Sequence, residues 1–406
     1  MSAEPVVVGT ARSRTVRHHR PPRWRRVAAA MVVLGWGGNQ FLPLMPLYRD
    51  VIGYTQVDVD LFLAFYVLGL VPGFVLSGSL SDRFGRKPII LAALVIAAAG
   101  SALIASGGAV MIVMCLGRML SGLGVAAAMV AGSSWLKQLA VAEGCGAPGA
   151  RRASLALSIG FGGGAGIAGV LAQFVALPTV VPYAVHVVAC LVAFAAVVGV
   201  DNTERVGVSR GLGLREMCIP QHAHATFWTR VAPTAPWIFG AAALSFAFGP
   251  SLVKDQVGSS QVIFATLVTL LTLGSGTATQ LASAPIDRVL RGRSGPVGAI
   301  CVALGACILA LASVTGQPLI VVLAAPVFGC GYGLCMVAGL ALTQSLARPE
   351  ELAGLTATFY ALSYLGFFLP LAFAALAPIA TGSTMLLLTA AVIVVCAAVA
   401  GRPGRP

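Results

Sequence analysis

The chain has 406 residues, of which 58% are apolar and only 10% charged, where soluble domains have about 45–50% and about 25%. So few polar side chains cannot cover a water-facing surface, which excludes a soluble globular protein and leaves lipid as the solvent. The formal charge of +13 sits in short loops and termini without interleaved aromatics, and this excludes nucleic acid as a partner.

Residues 1–26 carry seven arginines and the pair Pro21-Pro22, and read as a basic tail on the membrane surface. The apolar run that follows is about 20 residues long, too long for a secretory signal, and reads as a first membrane span. A span needs about 20 apolar residues to cross ~30 Å of hydrocarbon. That window predicts twelve, at approximately 27–48, 59–80, 88–107, 109–136, 153–176, 181–200, 230–251, 261–284, 296–314, 318–343, 352–378 and 381–400. A tight turn around Ser106-Gly107-Gly108 joins the third to the fourth.

This count puts every Lys and Arg except Arg49, Arg118 and Lys254 on one side of the membrane. By the positive-inside rule that side is cytoplasmic, with both termini on it, and the expected location is the plasma (inner) membrane. Residues 201–229 form the longest internal loop and read as a solvated linker. It divides a six-span half over 27–200 from a second over 230–400, with a tail at 401–406. His222 and His224 read as exposed linker residues, the nine cysteines show no ligand spacing, and neither a metal nor a cofactor is expected.

The chain repeats itself. Ser81-Asp82-Arg83-Phe84-Gly85-Arg86-Lys87 follows the second span, and Ile286-Asp287-Arg288-Val289-Leu290-Arg291-Gly292 follows the eighth. Two halves with the same loop at the same place are the pattern of a duplicated transporter.

Extended back to Gly78, the first loop reads Gly78-Ser79-Leu80-Ser81-Asp82-Arg83-Phe84-Gly85-Arg86-Lys87. It resembles in full the major facilitator superfamily signature, Gly-x-x-x-Asp-Arg-x-Gly-Arg-Arg/Lys. The resemblance covers the whole chain and implies an all-α membrane protein of two pseudo-symmetric six-helix bundles. It also implies a monomer that moves a small molecule by alternating access. Gly78 is expected to let two helices approach closely. Asp82 would face the residues around Leu352 to Gly354 at the start of the eleventh span, where the helix dipole favours a carboxylate. With Arg83 and Arg86 it would latch the cytoplasmic side; Gly85, Lys87 and the weaker copy Asp287, Arg288 and Arg291 belong to the same gating motif.

The fourth span contains Gly117-Arg118-Met119-Leu120-Ser121-Gly122-Leu123-Gly124, which is similar to the family's second motif with Ser121 where glutamine is common. A guanidinium in the bilayer costs at least ~2.5 kcal/mol, so it must face a cavity or a partner. At 1.5 Å per residue Arg118 lies about 13 Å deep, near the midplane. It can bind a substrate anion, couple protons, or anchor helices. Asn39 and Gln40 fall at a similar depth, with Trp36 one turn away. The family's cavity is lined by spans one, four, seven and ten, which makes Asn39 a neutral pocket candidate. Ser245, Phe246, Tyr332, Tyr360 and Tyr364 lie mid-span in the second half, and tyrosine suits an amphipathic substrate.

In the fifth span, Gly160, Gly164 and Gly169 resemble a glycine-rich antiporter motif, with Ala165 where proline is usual. Helix packing explains them equally well, as it does Gly122 and Gly124. Protons are the candidate coupling ion, yet no carboxylate falls mid-span. Asp50, Asp58 and Asp60 read as a solvated cluster at the outer edge, and His186 as a packing residue or a proton carrier. There is no His-Glu-x-x-His and no Walker sequence, so an enzyme is not expected. Efflux is the leading reading; an uptake symporter or facilitator of the same fold is the alternative, and a non-transporting receptor or scaffold stands behind both.

Overall fold

A computed structural model describes residues 23–143, 149–202, 219–348 and 351–402. The basic tail up to residue 22, most of the central linker, and residues 403–406 lie outside the described residues. Among the described residues there is no strand. Eleven helical stretches among the described residues are long and apolar enough to span a membrane. One of them, Gln221–Leu281, has 61 residues, about 90 Å of helix at 1.5 Å per residue. It holds two spans, because the chain turns back at Gly258 with φ +55°. Among the described residues the total is therefore the twelve expected.

In chain order the spans are Arg23–Asp50, Gln56–Phe84, Arg86–Ser106, Met111–Ala142, Gly149–Phe174 and Val181–Val198 in the first half. The second half has 221–253, Gln261–Leu281, Ser294–Thr315, Pro318–Leu346, Leu352–Leu376 and Gly382–Ala400. Both halves begin and end at the same face, the one carrying the Asp82 loop. We call it the basic end, and the opposite face the distal end.

The linker is shorter than expected. Residues 221–229 are helical and continue into the seventh span, although the sequence reading made them solvated loop. Pro220 opens the helix from an extended conformation, and Ala223, Phe227 and Val231 recur at four-residue spacing and are fully buried. That stripe is the period of a packed helix. His222 uses Nε2 on the Leu346 carbonyl at 3.1 Å.

The first and eleventh spans break where proline removes a backbone donor. The first runs as regular helix to Asn39, turns through Gln40 and Phe41, and resumes as Leu42–Leu44 and Met45–Asp50. Pro43 and Pro46 cannot donate to the carbonyls four residues earlier, Asn39 and Leu42. Pro370 acts likewise in the eleventh span, which passes through Leu365–Phe368 between its two helical parts. These breaks lie in mid-membrane, where irregular backbone is tolerated only when it is buried in protein.

Glycine sets the closest helix approaches, though not at every expected position. A Cβ on Gly122 would run into the Tyr66 carbonyl, on Gly160 into the Val32 carbonyl, and on Gly169 into the Thr266 hydroxyl of the other half. At Gly164 it would lie 2.5 Å from Trp36 Cα, and at Gly124 3.2 Å from Ala97 Cβ. Gly78 departs from the expectation. Its Cβ would meet only Val130 Cγ1 at an ordinary 3.9 Å, because the close contacts of the second span fall earlier, at Gly69 and Gly73.

Candidate functional site

The first and seventh spans, with helices two, five, eight, ten and eleven, enclose a midplane cavity of about 20 Å³, room for about one water. Asn39, Tyr66, Phe161, Phe239, Phe246, Tyr332, Tyr364 and Phe367 line it, with Ala242 and Leu273. No charged side chain is among them. Phe239 stacks on Tyr364 with ring centroids 3.9 Å apart and planes at 14°, and Phe367 lies 5.4 Å from Phe239. The Tyr66 ring of the first half meets Tyr364 and Phe367 edge to face. The cavity is closed because rings from the two halves fill it.

Of the residues expected there, Asn39, Phe246, Tyr332 and Tyr364 line the cavity. The other candidates do not. Arg118 is 0% exposed and lies behind Tyr66, its guanidinium 4.6 Å from the ring centroids of both Tyr66 and Phe41. Its Nε donates to the Phe62 carbonyl and Nη1 to the Gly38 carbonyl, each at 3.4 Å, while Nη2 has no partner. Among the described residues no carboxylate pairs with it. Trp36 faces the fifth and sixth spans, against Gly164 and the His186 ring, since Asn39 rather than Trp36 points inward at the helix break. Ser245 is bonded to Thr272 at 2.6 Å, between spans seven and eight. Tyr360 lies toward the basic end, stacked on Phe74 of the first half at 5.4 Å and 26°.

Gln40 and His186 belong to a separate buried chain. Gln40 Nε2 donates to Ser101 Oγ at 2.9 Å, and Ser101 Oγ lies 2.8 Å from His186 Nδ1. His186 Nε2 lies 3.0 Å from the Val33 carbonyl. A carbonyl only accepts, so Nε2 carries the proton, Nδ1 accepts from Ser101, and the neutral ring is satisfied at both nitrogens. Glycine at position 37 makes room for the ring, since a Cβ there would come within 2.8 Å of it.

The signature loop binds mostly within its own half. Asp82 pairs with Arg86 at 3.6 Å, across the Gly85 break and at the first residue of the third span. Gly85 has φ +90°, and a Cβ there would also strike the Asn202 amide. That amide accepts from Lys87 N at 3.2 Å and donates to the Phe84 carbonyl at 3.3 Å, while Lys87 Nζ donates to the Val198 carbonyl at 2.6 Å. Arg83 lies over Phe84. In the second half Asp287 accepts from Ser294 Oγ at 2.5 Å, and Arg288 Nε bonds to the Ala284 carbonyl of its own helix at 3.4 Å. Arg291 turns the chain with φ +53°. The side chains of Leu352 and Ala353, toward which the resemblance directs Asp82, lie outside the described residues. Between the halves toward this end, Phe74 stacks on Tyr360 and lies 5.9 Å from the Tyr364 ring, and Tyr364 OH lies 3.6 Å from Met129 Sδ.

At the distal end the expected solvated acidic cluster is only partly so. Asp50 is exposed and Asp58 caps the second span by accepting from Thr55 N at 2.9 Å. Asp60, however, is 0% exposed, because two residues on from Asp58 the helix face has turned toward the protein interior. Reading each residue by distance from the span end missed that turn. It also missed Tyr66, Phe161, Phe239 and Phe367. Tyr66 had a signal, a hydroxyl in mid-span; the phenylalanines look like any packing residue in an apolar run.

Two helical halves closed around a midplane cavity define a membrane transporter, not an enzyme. The chain belongs to the Major Facilitator Superfamily, whose sequence profile matches residues 27–371. It is 31% identical over 106 residues to a bacillibactin exporter of Bacillus subtilis (strain 168), covering 25% of this chain and 26% of that protein. Over 94 residues it is 35% identical to a chloramphenicol resistance protein of Pseudomonas aeruginosa, covering 20% and 22%. The matched stretches thus span about a quarter of either relative. Among solved structures, the POT family transporter PepTSo superposes with a TM-score of 0.74 at 13% identity, covering 94% of this chain and 97% of that one. The nucleoside transporter NupG superposes at 0.67 and 14%, covering 93% and 98%. At such identities the likeness is one of fold.

Proposed function

We propose that this transporter exports a small, largely uncharged aromatic molecule by alternating access, with protons as the coupling ion. The observation that carries the reading is the midplane cavity, walled by aromatic rings from both halves and holding Asn39 and tyrosine hydroxyls as its polar groups. Rings select a planar aromatic partner by stacking, and a few hydroxyl and amide groups orient it. At about 20 Å³ the cavity cannot admit such a molecule until the halves part. The ring contacts across the halves are therefore the surfaces that must separate in each cycle.

The names of the two curated relatives, an exporter and a resistance protein, support efflux. In this reading the basic end faces the cytoplasm of a plasma membrane and the protein acts as a monomer. Arg118 acts from behind Tyr66, fixing that ring and the break in the first span. The Asp82 loop with Phe74 and Tyr360 forms the gate at the basic end.

Purified protein in liposomes, with chloramphenicol and aromatic dyes as probes, tests this. Accumulation on the distal side, driven by a proton gradient directed toward the basic end, is expected. Movement indifferent to the gradient removes the coupling, movement with the protons indicates uptake, and no movement of any aromatic probe overturns the substrate class.

A further inference from the structure

We propose that Asp60 is a proton-binding carboxyl of the transport cycle, placed in a polar relay that ties the two halves together at the distal end. The inference rests on the alternating-access reading above. Its residues come from three elements. Asp60 Oδ1 accepts from Gln56 Nε2 at 2.9 Å, one turn earlier on the second span. Gln56 Oε1 accepts from Arg49 Nη1 at 2.6 Å, from the end of the first span. Arg49 Nη2 then reaches Gln261 Oε1 at 3.4 Å, the first residue of the eighth span and part of the other half. The relay runs carboxyl, amide, guanidinium, amide.

Two features single out Asp60. Its Oδ2 is shut off from water and has no hydrogen-bond partner. The nearest cation in the relay, Arg49, is separated from it by the Gln56 amide, and among the described residues no ion pair joins them. Other titratable groups on the elements at this end are Tyr48, Asp50, Tyr54, Asp58, Cys115, Tyr183, Lys254, Asp255 and, deeper, Arg118. Asp58 is held by Thr55, Asp50 is exposed, and Arg118 is spent on backbone carbonyls and two rings.

An ionised carboxylate with a bare, buried oxygen is costly, and a protonated one far less so. The closed distal end therefore favours Asp60 with a proton. When that end opens, water reaches the carboxyl, the proton leaves, and the new charge draws Arg49 away from Gln261. Proton binding and distal closure stabilise each other, and the dependence is reciprocal. Because the carboxyl meets water only when the distal end is open, it takes up and returns its proton on that side. Protonation shuts the distal end after substrate has left, and Asp60 acts as a pH-set latch of the cycle, not as the carrier of the coupling proton.

The test uses full-length protein in nanodiscs with two readouts. Infrared difference spectra from about pH 5 to about pH 9 follow the carbonyl band of protonated carboxyls. Spin labels on Val51→Cys and Ser259→Cys, both exposed positions at the distal end, follow its width on a cysteine-free background. Wild type is expected to lose a carboxyl band and to gain a wide-distance population on the order of tenfold as pH rises. Asp60→Asn should lack the band and stay narrow throughout. Gln261→Leu should be wide at every pH and, with Asp60 hydrated, should show no protonated-carboxyl band across this range. The opposite widths of the two variants separate loss of the tie from misfolding. Asp60→Asn with the wild-type response in both readouts overturns the proposal. If the pH response is present but a proton gradient does not drive chloramphenicol, the export reading falls and Asp60 stands. If the gradient drives Asp60→Asn as well as wild type, Asp60 falls and export stands.

Discussion

Tyr66 on the second span and Tyr364 on the eleventh meet edge to face across the two halves, with ring centroids 6.4 Å apart and planes at 72°. Both also line the midplane cavity. One contact therefore belongs to the closed interface and to the binding surface together, so substrate entry and parting of the halves engage the same side chains.

Removing either ring should weaken binding and loosen closure at once. An aromatic pair contributes about 0.5–1.5 kcal/mol beyond its buried area, so Tyr66→Ala or Tyr364→Ala should raise the apparent KM for an aromatic probe up to about tenfold. Tyr364→Phe keeps the stack on Phe239 and should stay within about threefold of wild type. Transport assays across a probe concentration series decide it; equal loss in Tyr364→Phe and Tyr364→Ala would mean the hydroxyl, not the ring, is what matters.

Arg118 offers a test that charge alone cannot satisfy. Its planar guanidinium lies between two rings and serves two carbonyls on different spans. Lysine supplies a point charge but neither the plane nor the fork. Arg118→Lys should therefore lose most transport, nearly as much as Arg118→Ala, and both should melt lower, by an amount equivalent to about 2–4 kcal/mol. Full activity in Arg118→Lys would show that the positive charge is the operative property.

What the sequence made legible was whatever depends on composition and period. Spans, their number and the repeated loop follow from apolar runs and charge placement, and Asn39 was found from its depth on a span that the resemblance places at the cavity. Orientation about the helix axis was not legible. Asp60 lies two residues from the exposed-side cap Asp58, yet it is buried, and Trp36 lies one turn from Asn39 yet faces another neighbour. Such choices are made by the partner helices, whose positions no single span encodes. The fate of 221–229 shows the same limit at a boundary, where three apolar residues at helical spacing outweighed a polar composition.

Glycine positions give a stability test with opposite outcomes in one protein. Gly122→Ala forces a methyl into the Tyr66 carbonyl, and overpacking of this kind costs about 1–3 kcal/mol. Gly78→Ala meets only Val130 at contact distance and should change stability by less than about 0.5 kcal/mol. Melting curves of the purified variants in detergent compare them directly. A large drop for Gly78→Ala would indicate that the family glycine serves a conformation with the halves apart, in which the second span packs more closely.

His186 should prove a structural anchor and not a proton carrier. Its neutral ring is already satisfied, donating to Val33 and accepting from Ser101, which itself accepts from Gln40. Ser101→Ala leaves His186 Nδ1 and Gln40 Nε2 buried without partners, at a cost of about 1–3 kcal/mol for each unsatisfied group. The melting temperature should fall while the pH profile of transport keeps its shape. His186→Gln can still donate to the Val33 carbonyl, so it should fold, lose less stability than His186→Ala, and show the wild-type profile. Loss of one limb of that profile in His186→Gln, with normal folding, would assign the ring a proton and place part of the coupling in this chain of side chains.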